Sequence, residues 1–564
     1  ARKLYSELLG VATAQVASLI SRSLQEVSPR HLRNFYLSLM ASPSAKEAHT
    51  PGTAALLVEA ILDSDELDAS YLAMTGGLSV MGPLALKPLM QALRAPEGLK
   101  RVKALGAVSD LLRQSRPGAL DMEEVIAAIL DAFDTGSEEF RGAVYESGIL
   151  RNYEFSQPMR ERATRLMLTD LHEHELEAAR DLVTGTILQL GGPAFGPILA
   201  TIEHGSHPAT RIEACELLGL VVVKWPSEPQ VNAGVSQALE KLLALLDGDG
   251  FPDRGALYRT IGRLGAHASV SQERARELAI LLLDRAGKTS ATYDIVDGLG
   301  WLTSGDSISG ELRLELVHVL LGFLALDLPA ISGRVRRVSG DLVLEFGRET
   351  TAYTDLIPRL LSGLERVIER SDLSLPLWKH IVETLATMFG KVARYEVVWA
   401  PASMVSLARI LGRAGMQERA GSELRERITE LLLLKASVMP VIQVLGGLCM
   451  ADPSPRMNVI AGEVFAQFEK LLHSEEAPAP EERRDVLRSL AGLLDRESIG
   501  TDPEADKRTR RKILDMLYQG VRDRVPQSLD LLKGIAANGT ARGIDIDEVK
   551  SRLARVANNP RGGR

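Results

Sequence analysis

The chain has 564 residues and a formal net charge of −8, with 45% hydrophobic and 25% charged residues. This apolar content excludes a mainly disordered chain, and a mildly acidic protein repels phosphate on average, which disfavours general nucleic-acid binding. Aromatic residues make up only 4%, so the core must be largely aliphatic, as in packed helices.

The N-terminal segment predicts an amphipathic first helix. Its basic start leads into an apolar stretch that Glu7 and Gln15 interrupt, and the helical pattern continues through residues 21–26. A secretory signal has a continuous apolar core, which this segment lacks. We expect residues 1–80 to form N-terminal capping helices.

Two later segments repeat one design of helix, turn and helix. In residues 81–108, apolar residues at helical spacing precede a turn rich in Pro and Gly, and Arg101 then opens a second apolar-periodic stretch. Residues 192–220 repeat this order, with Arg211 in the same place. Both segments therefore predict antiparallel helical hairpins.

Less complete copies extend the series to five arginines at steps of 40, 39, 31 and 43 residues, namely Arg101, Arg141, Arg180, Arg211 and Arg254. A further copy has its first helix at 278–283, turns at Gly287 and resumes at Ala291 without an arginine at the start of the second helix. A period near 40 residues is typical of a solenoid, in which each hairpin buries its apolar faces against its neighbours.

This pattern resembles the HEAT-repeat family, to which armadillo-like arrays are closely related. The resemblance covers residues 81–302 and implies an all-α, right-handed superhelix of stacked antiparallel hairpins. In that family the arginine bonds to turn carbonyls or acids of neighbouring repeats. The resemblance implies such a structural ladder here, formed by Arg101, Arg141, Arg180, Arg211 and Arg254. The family favours Val just before the arginine, whereas this chain has Lys100, Phe140, Thr210 and Asp253.

Residues 303–556 keep helical patterns but lose the clean period, so we expect divergent repeats that continue the solenoid. The predicted helices lie at about 311–326, 353–370, 374–389, 401–413, 421–436, 455–473, 482–495, 507–522, 526–537 and 545–556. A disordered tail is expected at 557–564.

One apolar stretch, residues 431–450, has the length of a membrane span. It contains Lys435, Pro440, Gln443 and a Gly pair, which a spanning helix rarely combines. The composition instead favours two buried helices joined near residues 435–440, so we expect no transmembrane segment.

Motifs for catalysis, cofactors or metals are incomplete. Residues 286–289 read Ala-Gly-Lys-Thr but lack the earlier glycine of a phosphate-binding loop, and residues 247–250 lack the spacing of a calcium loop. His172 and His174 lie two positions apart, so a helix points them in different directions. The sequence thus predicts no catalytic residue, no cofactor and no metal site.

Only two cysteines are present, Cys215 and Cys449. They form neither a disulfide framework nor a CxxC metal motif. A reducing compartment fits such cysteine usage, so a cytoplasmic localisation is expected.

Two basic clusters interrupt the acidic background. Arg334, Arg336 and Arg337 form the first. The second and denser run supplies the candidate contacts to an anionic partner, which are Arg508, Arg510, Arg511 and Lys512. Acidic residues just before the second run also fit a solvated helix start.

The sequence therefore predicts a non-catalytic scaffold or adaptor that presents a concave helical surface to a protein partner. Two alternatives stay open: an adaptor for nucleic acid or anionic membranes through the basic clusters, and a HEAT-repeat enzyme related to bilin lyases or glycosylases. A glycosylase needs aromatic residues in a basic groove. The four Trp residues of this chain are instead scattered along the sequence, at Trp225, Trp301, Trp378 and Trp399. The partner's identity and the oligomeric state do not follow from the sequence.

Overall fold

The computed structural model describes residues 50–63, 78, 81–114, 121–171, 177–248, 250–286, 292–325, 350–395, 401–435, 439–452, 454–473, 479–496, 498–499, 502–538 and 546–558. All regular secondary structure within these residues is helical, without a strand. The chain divides into two compact units, Ala1–Ser269 and Val270–Arg564.

In the first unit, helix bounds follow the turn signals of the sequence. The helices are α1 Pro51–Asp63, α2 Pro83–Leu93, α3 Gly98–Gln114, α4 Met122–Asp134, α5 Glu138–Ser147, α6 Gln157–Asp170, α7 Glu177–Leu190, α8 Phe195–His204, α9 Pro208–Lys224, α10 Pro229–Asp247 and α11 Arg254–Gly265. A short helical segment, Ile149–Asn152, follows α5, and a 3-10 turn, Gly192–Ala194, precedes α8.

In the second unit, helices follow each other with similarly short connections. They are α12 Gln272–Arg285, α13 Thr292–Ser304, α14 Gly310–Ala325, α15 Thr350–Glu369, α16 Leu375–Tyr395, α17 Pro401–Met416, α18 Gly421–Leu433, α19 Met439–Ala451, α20 Pro455–Leu472, α21 Pro480–Leu493, α22 Pro503–Arg522, α23 Ser528–Asn538 and α24 Ile546–Asn558. A 3-10 turn, Glu418–Ala420, lies between α17 and α18.

Helix starts are fixed by local capping. Asp121 accepts hydrogen bonds from the amides of Glu123 and Glu124, and Ser454 accepts one from Met457. Asp253 caps α11 by accepting from the Gly255 amide at 2.8 Å. This explains the acidic residue before Arg254, where the family favours Val, because an N-cap side chain satisfies an amide that has no partner within the helix.

The helices of the first unit alternate between two rows. First helices of successive hairpins contact each other, as α2, α4, α6, α8 and α10 do in that order. Second helices form the other row, which consists of α3, α5, α7, α9 and α11. Because each hairpin packs mainly on its neighbours, this unit is a solenoid.

The second unit has the same two-row order. We call one row the glycine row; it consists of α13, α15, α17, α19, α21 and α23, each in contact with the next. The opposite row includes α14, α16, α18 and α20. In the glycine row, a Cβ on Gly300 would lie only 2.9 Å from the Cα of Gly363, and a Cβ on Gly412 would overlap Val444. Glycine is therefore required where these helices touch.

The described helices confirm the all-α solenoid of HEAT-like hairpins expected from the sequence. The apolar stretch at 431–450 is divided between α18, which ends at Leu433, and α19, which begins at Met439. Residues 1–49 and 559–564, which include much of the expected capping segment and tail, lie outside the described residues. The predicted domain boundaries and the handedness of the superhelix stay predictions.

Candidate interaction surface

Two arginines of the first unit connect neighbouring hairpins through backbone carbonyls. Arg101 on α3 donates to the carbonyl of Ala95 in its own turn and to the Thr135 carbonyl, at 3.2 Å, in the next turn. Arg211 on α9 donates to the Ile202 carbonyl at 2.8 Å and to the Gly250 carbonyl at 3.2 Å. Each guanidinium thus satisfies acceptors at a helix end and at the following turn.

The other three arginines of the series make weaker or different contacts. Arg141 pairs with the buried Asp170 at 2.9 Å, and Asp170 also accepts from the Tyr145 hydroxyl. Arg180 lies 3.8 Å from Glu213 in an exposed pair. Arg254 donates to the Gly248 carbonyl at 3.3 Å, within its own turn.

In the second unit, the same arginine-to-carbonyl contact is made by residues that the sequence analysis did not predict. Arg313 on α14 donates to the Thr303 and Gly305 carbonyls at the end of α13. Arg425 on α18 donates to the Gly415 carbonyl at the end of α17 at 2.7 Å. A shared Glu-Leu-Arg triplet, at 311–313 and 423–425, was the signal available in the sequence.

Arg510 is a correction to the predicted anionic-partner contacts. Its side chain is only 1% exposed. It donates to the Leu494 and Arg496 carbonyls at 2.8 and 2.7 Å and pairs with Asp506 at 3.0 Å. Because it is buried and bonded, Arg510 is a third member of the Arg313 and Arg425 series and does not present its charge to a partner.

The remaining members of the basic run are exposed on α22. Lys512 forms an ion pair with Glu469 at 2.8 Å, and Arg508 donates to the Glu504 carbonyl at 3.3 Å. Arg511 is exposed between them in sequence. Acidic neighbours therefore offset part of this positive charge. The other basic cluster, 334–337, lies outside the described residues.

Asp452 links two hairpins of the second unit. Its carboxylate lies 3.3 Å from Arg425, and its backbone carbonyl accepts from Arg496 at 2.7 Å. Burial alone would raise the pKa of the Asp452 carboxyl, but hydrogen bonds from Ser454 and Ser422 and the Arg425 charge lower it overall. This carboxylate therefore stays ionised in the folded state.

Two exposed methionines mark the glycine row. Met416 ends α17 with 45% of its surface exposed, and Met450 near the end of α19 has 51%. The Met416 sulfur would lie 3.0 Å from a Cβ on Gly447, and the Met450 sulfur would overlap a Cβ on Gly492. Each methionine thus lies over a glycine of the next helix in the row, which repeats one surface feature at successive hairpins.

Charges lie on either side of these methionines but are absent from α19, the helix that carries Met450. Arg413 on α17 pairs with Glu365 and Glu369, each at 2.8 Å. On the other side, Asp485 of α21 accepts a hydrogen bond from Gln443 of α19 at 2.7 Å. Helix α19 itself contains no charged residue, so an uncharged strip crosses the row. We call this strip, formed by Met416, Gly447, Met450 and Gly492, the methionine strip.

The strip opens into a cleft beside α21 and α23. The cleft has a volume of about 520 Å³. Its apolar lining includes Met450, Ala491, Leu531 and Ile535, and its polar lining includes Arg488, Gln527, Asp495 and Asp530. A cleft of this size falls within the range of ligand-binding pockets.

The Trp residues of the enzyme alternative serve packing where they are described. Trp378 is fully buried, and the Trp225 indole donates to the Leu188 carbonyl at 2.7 Å. The Trp301 ring lies 3.9 Å from the Arg366 guanidinium. Trp399 lies outside the described residues. The three described Trp positions form no aromatic groove around an acid.

Both thiols are buried within the described helices. Burial raises the pKa of Cys215 and of Cys449 to about 12 in each case. Such thiols react slowly, since the thiolate is the nucleophile. Within the described part of the chain, no group of three or more His, Cys, Asp or Glu residues is arranged to hold a metal ion.

Within the ranges given above, no single helix is long and apolar enough to cross a bilayer. One bent pair, Arg180–Leu190 with Gly192–His204, reaches that length and apolar composition only when its two halves are taken together, and the bend between them is 112°.

No known protein family and no curated protein matches the sequence. Solved structures that resemble the fold include the karyopherin Kap121p bound to the SUMO protease Ulp1p, with 11% identity and a TM-score of 0.41 over 94% of this chain and 58% of that one. This chain thus spans less than two thirds of that karyopherin. Kap95p with RanGDP has 11% identity and a TM-score of 0.43 over 100% of this chain and 81% of that one. Importin beta has 11% identity and a TM-score of 0.42 over 96% of this chain and 82% of that one.

Such remote likenesses concern only the general arrangement of helices, and the partners in those structures are theirs. From its own described residues, this chain is defined as an α-solenoid of HEAT-like hairpins.

Proposed function

We propose that this protein is a non-catalytic scaffold that binds a protein partner along the glycine row of its second unit. The observation that carries the proposal is the methionine strip, an uncharged and exposed surface repeated at successive hairpins. Methionine side chains are flexible and polarisable, and they are common at adaptable binding surfaces. Broad contact of this kind needs a surface and no catalytic pocket.

The spacing of the helices supports the choice of this row. Contacts that only glycine permits, at Gly300 with Gly363 and at Gly412 with Val444, bring helices of the glycine row close together. When one side of a two-row stack is more closely spaced than the other, the stack curves towards the closer side. We infer that the glycine row lines the concave side of the second unit, as expected for the binding face of a solenoid.

The arginine ladder is part of the same proposal, with a structural role. The contacts of Arg101, Arg141 and Arg211 with the next hairpin support it. Arg180 lies 3.8 Å from Glu213 on α9, and Arg254 bonds within its own turn. In our proposal the ladder holds the hairpins in register, and the partner contacts other side chains.

A pull-down from native lysate tests the function. The full-length protein is compared with a Met416→Glu/Met450→Glu variant and with Val459→Glu, which alters an exposed residue of α20 in the opposite row. We expect the wild type and Val459→Glu to retain the same protein partners after crosslinking and the double variant to lose them. Absence of any stable partner of the wild type, or equal capture by all three proteins, would contradict the proposal.

A further inference from the structure

We propose that the cleft between α21 and α23 is a docking site for a short amphipathic helix that carries an aliphatic anchor and a basic side chain. This inference rests on the proposed function and adds to it the chemical class of the partner segment. It is carried by three properties of the cleft: an apolar floor, a length of about two helical turns, and an excess of negative charge.

The floor is apolar, with Leu531 half-buried and Ile535 and Ala491 buried beneath the exposed Met450. Leu531 and Ile535 lie four positions apart on α23, so they share one face of that helix. Ala491 and Gly492 provide the wall on α21, and the exposed Met450 reaches over Gly492. An aliphatic side chain inserted here would contact Met450 on one side and Leu531 on the other, and would remove mainly the exposed surface of Met450 and Leu531 from water.

The length of the cleft matches a short helix. Its lining residues on α21 extend from Arg488 to Asp495, which is roughly 10 Å at the rise of an α-helix. On α23 they extend from the preceding Gln527 to Ile535. Two turns of a bound helix would therefore contact both walls. A bound helix also satisfies its own backbone hydrogen bonds, whereas an added strand would need an open sheet edge, which two helical walls do not provide.

The charges of the cleft favour a cation. Its lining contains one basic residue, Arg488, and two acidic residues, Asp495 and Asp530. Arg488 already donates to the Gln527 side chain at 2.5 Å and lies 3.7 Å from Asp485. Asp530 is 74% exposed, with its carboxylate 3.6 Å from the Lys533 amine of the same helix. Such an exposed pair is weak, so the acidic end remains complementary to a Lys or Arg.

Peptide binding to the full-length protein tests this inference directly. The probe is a fluorescein-labelled, Ala-based peptide of about 16 residues, long enough to be helical, with Leu at i and i+4 and Lys one turn further on. A second probe carries Glu in place of Lys. Fluorescence polarisation at low salt should show binding of the Lys peptide at least ~5-fold tighter than that of the Glu peptide, as one ion pair of about 1 kcal/mol implies.

Four variants locate the binding. Met450→Glu should weaken the Lys peptide at least ~10-fold, the effect of about 1.4 kcal/mol, and Asp495→Lys should reverse the preference towards the Glu peptide. The matched controls are Val459→Glu and Glu463→Lys, both at exposed positions of α20 in the opposite row and outside the cleft. Both controls should bind as the wild type does, and circular dichroism should show unchanged helix content in all four.

Three outcomes of the peptide assay would overturn the inference, and a fourth comes from sedimentation. The first three are absence of peptide binding, equal binding of the Lys and Glu peptides, and binding that Met450→Glu leaves intact. If sedimentation shows a dimer that Met450→Glu dissociates, then a second copy of the chain occupies the cleft, which also overturns it. Failure here leaves the proposed function standing as long as lysate partners are still captured, and loss of lysate partners is a separate failure of that function.

Discussion

In both units, arginine side chains donate to backbone carbonyls at helix ends, but these arginines differ in how deeply they are buried. In the first unit, Arg101 and Arg211 are half-buried and Arg254 is exposed, and they recur with a visible period. In the second unit, Arg313, Arg425 and Arg510 are all buried, although their spacing in the sequence is irregular. The regular series is therefore the more exposed one.

This difference shows that a period in the sequence reports connection lengths. The number of residues in the connections sets the period. The contact itself depends only on an arginine within reach of a helix end whose carbonyls have no partner within the helix. Where connections vary, as in the second unit, the contact persists without its period. A sequence search for even spacing finds the first unit and overlooks the second.

The largest expected effect separates a buried arginine from an exposed one. Arg510→Met should destabilise the α21–α22 hairpin by about 3–5 kcal/mol, because Asp506 and two backbone carbonyls lose their buried partner. Arg254→Met is the matched variant in the first unit and should change stability by about 1 kcal/mol or less. Native-state hydrogen exchange of each hairpin measures both values. Similar losses in the two variants would break the comparison between the units.

A smaller effect is expected from the glycine row. Gly412→Ala should cost about 1–3 kcal/mol, since the new Cβ overlaps Val444 and the helices must separate. Gly106→Ala is the control in the first unit, where a Cβ meets no atom within 4 Å. That change should stabilise α3 by about 0.5–1 kcal/mol through helix propensity. Thermal denaturation distinguishes the two signs, and a stabilised Gly412→Ala variant would refute the close approach.

The two thiols report on the two units separately. In Cys449→Ala and Cys215→Ala variants, the single remaining thiol should react with a disulfide reagent only as its own unit opens. Burial raises both pKa values from 9.0 to about 12, so the unfolded state releases these protons first. Stability is therefore fully present below pH 9 and falls as pH rises towards 12. Rapid reaction in native buffer at pH 8 would show that a thiol is accessible.

The smallest effect is expected from the exposed basic run. Replacing Lys507, Arg508, Arg511 and Lys512 with Gln should change stability by about 1 kcal/mol or less, mainly through the Lys512–Glu469 pair. A fluorescence binding assay with duplex DNA and with anionic vesicles should show no salt-dependent binding that the substitutions remove. Such binding would favour the alternative of an adaptor for anionic partners.

The helices of the second unit follow closely from the sequence, but the site does not. The pattern at 311–326 predicts α14, observed at Gly310–Ala325, and residues 507–522 predict most of α22. Arg510 was misassigned because it stands in a basic run, although its helical spacing to Ile513, Leu514 and Leu517 places it on the buried face.

The methionine strip illustrates the part that sequence reasoning could not reach. Met416 and Met450 are ordinary apolar residues at helix ends in the sequence. Their exposure depends on how closely α17, α19 and α21 pack, and on glycines of the next helix that leave room for each sulfur. Such contacts join residues about 30 to 45 positions apart, which a local pattern does not encode.

Photo-crosslinking of the strip tests the proposed binding face most directly. Benzoylphenylalanine is placed at Met450, or at Val459 in the opposite row, in the full-length protein, and each sample is irradiated in native lysate. We predict that position 450 forms covalent adducts with a defined protein partner and that position 459 does not. Adducts at 459 alone, or equal adducts at both positions, would contradict a binding surface on the glycine row.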